Sequence, residues 1–383
     1  MKNVYVPANI TLWRLDAGSY RRIIVDMNEK TYYPIRMRRL RHSDLLRDMV
    51  AETSLTPANF VAPLFVRRGE NIRRPILSMP GQFQLSPDLA LDDLGEMASR
   101  GLKAYILFGV VDPEEKDADG SHAYDPNNAV CTTLRLARDA GINMLAITDL
   151  CFCEYTNHGH CGVLSHALEK SPEPKSSAQG KRKKSASGNI VANQSAVHND
   201  ATNENLGRQA ILHAQAGADI IAPSGMMDHA IATIRSALDD AGFHDKSLLS
   251  YAVKYASNFY GPFRDAAESP PQFGDRRGYQ MDFRRSAREA IREAKLDVRE
   301  GADIIMVKPA MPYLDILRSI ADAVDVPCAA YQVSGEYAMF KAAASAGWID
   351  EKQCVLESMY AIRRAGASFI ITYYASEIVE WLG

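Results

Sequence analysis

Apolar, β-rich runs alternate with helical patterns along these 383 residues, and that rhythm predicts a (β/α)8 TIM barrel preceded by an N-terminal arm. Three observations carry the prediction. Eight short runs have strand character. Amphipathic segments lie between them. Several of those segments end in a glycine that introduces the next run, which suits the left-handed backbone of a helix stop. Two of the runs also end in lysine, at Lys254 and Lys308, where a barrel keeps its reactive groups.

In chain order the strand-like runs are Phe60–Val66, Ala104–Val110, Asn143–Leu150, Asp219–Ser224, Ser247–Lys254, Asp303–Lys308, Pro327–Ser334 and Phe369–Tyr374. Helical patterns fall at Asp92–Arg100, Thr132–Ala140, Glu204–Ala216, His229–Ala241, Ser286–Glu300, Leu314–Ala323 and Asp350–Ala365. The glycine stops are Gly101, Gly141, Gly217, Gly301 and Gly366. Residues 1–58 are expected to form the extension and arm, and 59–383 the barrel. From about Glu169 to Ala201 the chain is rich in Ser, Pro, Asn and Lys, including Lys181-Arg-Lys-Lys184. So few apolar residues cannot offset the entropy of ordering, and a disordered insertion in a barrel loop is expected.

Composition excludes several classes. Hydrophobic residues make up 46%, enough for a large core, yet no apolar stretch approaches the roughly 20 residues of a spanning helix. A net charge of −3 gives no reason to expect nucleic acid. The basic run Arg36-Met-Arg-Arg-Leu-Arg-His42 reads as a solvated arm or subunit contact. Met1-Lys-Asn-Val-Tyr shows no secretory pattern, and Asp16, Asp26 and Glu29 argue against a transit peptide. A cytoplasmic location is expected, with an organellar address left open.

Six cysteines are few for this length, and three sit within eleven positions as Cys151-x-Cys153-x7-Cys161. That spacing points to a metal in a reducing compartment rather than to disulfides. Three thiolates with an open fourth position describe a catalytic zinc; His158 or His160 as a fourth ligand would make it structural. Cys131, Cys328 and Cys354 read as packing residues. If the strands ending in Lys254 and Lys308 are neighbours, two amines meet at the barrel mouth. Burial and mutual repulsion favour the neutral amine, which attacks ketones to form imines. Asp149, Ser224, Ser334 and Tyr373 also stand at strand ends. The segment Asn258 to Gln280, with Arg264, Arg276 and Arg277, reads as a lid whose arginines grip a carboxylate.

Tyr251-Ala-Val-Lys254-Tyr-Ala-Ser, Gly261-Pro-Phe-Arg264-Asp-Ala-Ala, Met306-Val-Lys308-Pro-Ala-Met-Pro-Tyr-Leu-Asp315 and Tyr331-Gln-Val-Ser334-Gly-Glu-Tyr-Ala-Met339 resemble the 5-aminolevulinate dehydratase (porphobilinogen synthase) family, in the family's order. The resemblance implies condensation of two 5-aminolevulinates to porphobilinogen, with loss of two waters, on the route to haem and other tetrapyrroles. By position, Lys308 resembles the Schiff-base lysine of the first (P) site and Lys254 that of the second (A) site. Ser334 and Tyr373 match P-site carboxylate contacts, and Arg264, Arg276 and Gln280 match A-site ones. Asp149 and Ser224 match polar residues near the reacting groups. Cys151, Cys153 and Cys161 resemble the ligands of zinc-dependent members. Glu293 resembles a carboxylate that, in part of the family, anchors an activating magnesium through water. The resemblance also implies an arm that embraces a neighbour within a homo-octamer built from dimers. It covers the chain from about Arg36; the leader Met1–Thr31 and the insertion are departures.

Two rival readings predict different behaviour. A Schiff-base aldolase on the same barrel needs one imine lysine and no tri-cysteine loop. A non-catalytic barrel with a structural zinc would unfold when the metal is removed.

Overall fold

The computed structural model describes residues 35–164 and 197–383 in full, together with the backbone of two earlier strands, Asn9–Asp16 and Ser19–Asp26. Those two strands pair antiparallel from Asn9↔Asp26 to Asp16↔Ser19. Most of the expected insertion, up to residue 196, lies outside the described residues. The chain forms two compact units, Met1–Ser54 and Leu55–Gly383. The barrel unit therefore begins a few residues before the expected 59. Within it, Asn59 donates to the Ser368 carbonyl at 3.3 Å, joining the first strand's entry to the last strand's.

Eight parallel strands form the barrel: β1 (Phe60–Arg67), β2 (Ala104–Val110), β3 (Leu145–Leu150), β4 (Ile220–Pro223), β5 (Ser247–Lys254), β6 (Ile304–Lys308), β7 (Cys328–Gln332) and β8 (Phe369–Thr372). Neighbours pair in chain order, and β8 closes on β1 through Ile370↔Phe60 and Ile371↔Val61. The strands are buried on both faces, so they read as continuous apolar runs rather than alternating ones. The helices α1 (Pro87–Ser99), α2 (Ala129–Asp139), α3 (Asn199–Ala216), α4 (Ala230–Asp240), α5 (Ala287–Glu300), α6 (Leu314–Ala321), α7 (Glu351–Arg364) and α8 (Ala375–Leu382) follow the strands. Gly217 (φ 116°) and Gly301 (φ 106°) end α3 and α5 in the left-handed conformation, which a side chain would strain.

Several boundaries differ from expectation; α1, for one, starts at Pro87 rather than Asp92. The insertion ends before Val197, which bridges to Leu164, and α3 already starts at Asn199. His198 caps that helix by accepting from the Ala201 amide, so a polar first turn that looks like loop is helix. The run expected to continue as strand to Ser334 stops at Gln332, and a helix outside the eight, Ser334–Ser345, begins at Ser334. Tyr373 and Tyr374 lie in the turn after β8.

Candidate active site

The ends of β5 and β6 are in register, Lys308↔Lys254, only because β5 carries one extra residue between Ser250 and Val253. A bulge re-aims the residues beyond it and breaks the two-residue alternation of a strand. The Tyr251 ring and the Lys254 amine, three positions apart, can therefore meet. The Lys254 and Lys308 amines lie 5.4 and 5.0 Å from the Tyr251 ring centroid. Lys308 also lies 4.0 Å from the Tyr331 ring centroid, with Phe263 and Tyr260 close by. Both lysines are only 5% exposed. Burial, and then the neighbouring Lys254, bring the Lys308 amine down to about 7. Lys254 donates to the Ser224 carbonyl at 2.6 Å.

Asp149 ends β3 beside these amines. Its Oδ2 accepts from the Ser224 hydroxyl at 3.2 Å, while Oδ1 is buried without a hydrogen bond. Burial, with Glu154 opposing its ionisation, pushes Asp149 up to about 8 against the pull of both lysines. Glu154 is likewise raised to about 8, by burial and then by Cys153. Burial thus favours the protonated form of both carboxyls and the neutral form of the Lys308 amine.

The thiols of Cys151, Cys153 and Cys161 are buried and lie within 4.8 Å of one another, with Cys151 and Cys153 sulfurs 3.4 Å apart. Sulfurs bound at about 2.3 Å to a tetrahedral ion stand about 3.8 Å apart, a spacing close to that of this set. Cys161 is the thiol most ready to ionise: Cys151 and Cys153 donate to it, and Arg276 and Lys254 add positive charge. Asp149, Cys151 and Glu154 form a second, overlapping group of possible ligands. Neither histidine joins the thiols. His158 contacts the Ala118 carbonyl (3.2 Å) and accepts from the His160 amide; His160 contacts the Phe273 carbonyl (3.0 Å) and the Tyr279 hydroxyl (3.3 Å). Among the described residues the thiol set therefore keeps three protein ligands rather than four.

The lid rises from β5 through the helix Gly261–Ala266 and returns where Met281 donates to the Lys254 carbonyl at 3.0 Å. Arg276 is buried and fixed by its Nη2, which donates to the Gly159 and Ser269 carbonyls. In the lid, Arg264 Nε, Arg276 Nε and Gln280 Nε2, like the Ser269 hydroxyl, are buried without a protein hydrogen-bond partner. Burial and then Arg276 lower the Arg264 guanidinium, as for a cation held against another cation. Unpartnered guanidinium and amide donors of this kind suit an anion.

Ser334 accepts from the Phe263 amide (2.9 Å) and donates to the Phe259 carbonyl, while Tyr373 bonds Tyr331 between hydroxyls at 3.0 Å. Glu293 lies elsewhere, on α5. It lines a cavity of about 430 Å³ with Asp228, Glu289, Asp282 and the lid residue Gln280. Burial, then Asp228, Glu300 and Glu289, raise its carboxyl. Sequence reasoning missed Tyr251, Tyr331 and Glu154. The tyrosines stand in the motifs around Lys254 and Ser334 with no role of their own, and a glutamate between two cysteines carried no separate signal.

A family profile described as Delta-aminolevulinic acid dehydratase matches residues 34–381. Proteins of that name from Synechococcus elongatus and Archaeoglobus fulgidus are 48% and 47% identical, each alignment covering 91% of this chain and 98% of the relative. One from Bacillus subtilis is 44% identical over the same shares. A crystal structure of the Toxoplasma gondii enzyme in complex with its product porphobilinogen is 41% identical, with a TM-score of 0.81 over 91% of this chain and 92% of that one. A profile spanning the whole barrel, relatives at this identity and two lysines paired at its mouth make the chain a member of the delta-aminolevulinic acid dehydratase family.

Proposed function

We propose that this enzyme makes porphobilinogen from two 5-aminolevulinates, holding one as an imine on Lys308 and the other as an imine on Lys254. The observation that carries this reading is the register Lys308↔Lys254, which places two buried amines over one tyrosine ring. A neutral Lys308 attacks the ketone carbon of the first substrate. The carbinolamine then loses its oxygen as water. Asp149, whose ionisation burial and Glu154 oppose, can give that oxygen a proton and take one back, with Ser224 holding Oδ2 and Oδ1 left without a protein partner. Two ketones held in fixed orientation lose most of the entropic barrier to joining.

The unpartnered donors on Arg264, Arg276 and Gln280 are the natural grip for the A-site carboxylate. Ser334 and Tyr373 would hold the P-site carboxylate by exchanging their present hydrogen bonds for it. Cys151, Cys153 and Cys161 would hold zinc, which when bound supplies a Lewis acid at the barrel mouth. A cytoplasmic location suits a chain whose six cysteines are all free. No described helix is long and apolar enough to cross a membrane.

The test is to incubate the protein with 5-aminolevulinate, assay porphobilinogen, and reduce a parallel sample with borohydride. Product and substrate mass on Lys308 are expected. Full activity in Lys254→Ala would instead favour a single-imine aldolase mechanism.

Glu293 and the arm belong to a second level of control. Residues 35–50 expose Ile35, Met37, Leu40, Leu45 and Met49, apolar area suited to a neighbouring copy in a homo-octamer of dimers. A hydrated magnesium needs only one or two carboxylates, and Glu293 among Asp228 and Glu289 offers them. Magnesium bound there stabilises whichever assembly binds it. Magnesium is expected to raise activity and shift sedimentation toward octamer. Glu293→Ala is expected to remove both responses and leave zinc content unchanged. A mutant that responds as the wild type does would make Glu293 an ordinary surface carboxylate.

A further inference from the structure

Glu336 is 2% exposed, yet none of the roles above uses it. It stands in the first turn of the helix Ser334–Ser345. Its Oε2 accepts from the Val333 amide at 2.5 Å, which is an ordinary capping contact. Its Oε1 does something a cap does not require: it accepts from the Met311 amide at 2.6 Å. Met311 lies three residues beyond Lys308, and Val333 immediately precedes Ser334. Burial pushes the Glu336 carboxyl up to about 7, opposed by the amides of Val333, Met311 and Ala310 that favour its anion. Each oxygen accepts an N–H from a different turn, so the side chain bridges the two.

Further support comes from the β6–β7 ladder, from Gln332 Nε2, which lies 3.9 Å from Met311 Sδ, and from the root of the lid. The Lys308 carbonyl accepts from the Tyr255 amide (3.0 Å) and the Tyr260 hydroxyl (3.2 Å). The Ser334 hydroxyl meets Phe263 and Phe259. Gly335 lies so close to the lid root that a Cβ there would stand 2.5 Å from the Phe259 carbonyl oxygen. Glu336 joins the two strand ends without passing through the lid.

We propose that Glu336 is a positioning residue: its carboxylate ties the turn after Lys308 to the turn before Ser334, so that the imine-forming amine and the carboxylate-binding hydroxyl of one substrate site are set as a unit. The inference rests on the reading that Lys308 and Ser334 serve the same substrate.

Glu336→Gln and Glu336→Asp, made in the full-length zinc-loaded chain, test it. Glutamine keeps the shape but turns one acceptor into a donor facing an N–H. Aspartate keeps two acceptors and draws them back by one methylene. A misplacement on the order of 1 Å costs about 100-fold in rate, so kcat for Glu336→Gln is expected to fall about 100-fold. The borohydride adduct at Lys308 should fall relative to that at Lys254, and Glu336→Asp should recover part of both losses. Amide exchange should quicken in the peptide covering residues 309–313. The wild type without a Lys308 adduct would overturn the imine reading, and this inference with it. A wild type that carries the adduct, beside a glutamine variant with unchanged kcat and adduct ratio, would overturn this inference alone. So would equal loss of both adducts with loss of circular dichroism, which marks a merely structural clamp.

Discussion

Lys308→Ala is expected to abolish porphobilinogen formation, with a loss of about 10⁴- to 10⁶-fold, the scale on which deleting a covalent nucleophile acts. The alanine variant keeps β6, because the lysine ends the strand and its carbonyl, not its side chain, bonds Tyr255 and Tyr260. Circular dichroism should therefore stay unchanged while turnover disappears. The wild-type pH profile carries the same argument. Only the neutral amine attacks, and burial with Lys254 brings Lys308 down to about 7. Below that pH the amine is protonated and kcat/KM should fall as pH drops; above it the neutral form dominates and this acid limb should flatten. Lysine at its ordinary value would instead give an activity still rising steeply at pH 9. Measuring kcat/KM from pH 5 to 9 separates the two. Residual activity in Lys308→Ala within tenfold of wild type would end the case for an obligatory imine there.

The barrel was legible because its strands are buried on both faces and so appear as unbroken apolar runs, and because glycines such as Gly217 and Gly301 mark the helix stops. The two lysines were legible for the same reason: a charge at the end of such a run is expensive unless it is used. What stayed hidden depends on contacts between distant segments. The bulge in β5 is a property of register with β6 and leaves no mark in the residues themselves. The start of α3 was lost because its first turn is polar and continues the composition of the preceding segment. The helix at Ser334 was lost because Tyr331-Gln-Val reads as strand and Gly335 sits in the helix's first turn, against helical propensity. His158 and His160 looked like possible ligands by spacing, yet the fold turns their nitrogens toward Ala118, Phe273 and Tyr279. Glu336 had no role assigned from sequence, because nothing local reveals that Met311 comes to meet it.

Removing the metal is expected to abolish activity and leave the barrel standing. The three thiols sit at the mouth, on the loop that follows β3, while the strands are held by their own ladder and an apolar core. A structural zinc would behave otherwise, since folding energy resides in such sites outright. A chelator should thus take activity below about 1% of the starting value without changing far-UV circular dichroism, on the order-of-magnitude scale of losing a Lewis acid worth several kcal/mol. Added zinc should restore it. Cys151→Ala with Cys153→Ala should have the same effect as the chelator and should not respond to zinc, because only Cys161 of the set remains. Thiols must lose their protons to bind, so zinc affinity should weaken as pH falls. Metal content by mass spectrometry, activity and circular dichroism on the same samples decide between the outcomes. Unfolding on chelation would make the cluster a staple, and full activity in the metal-free double variant would remove zinc from the mechanism.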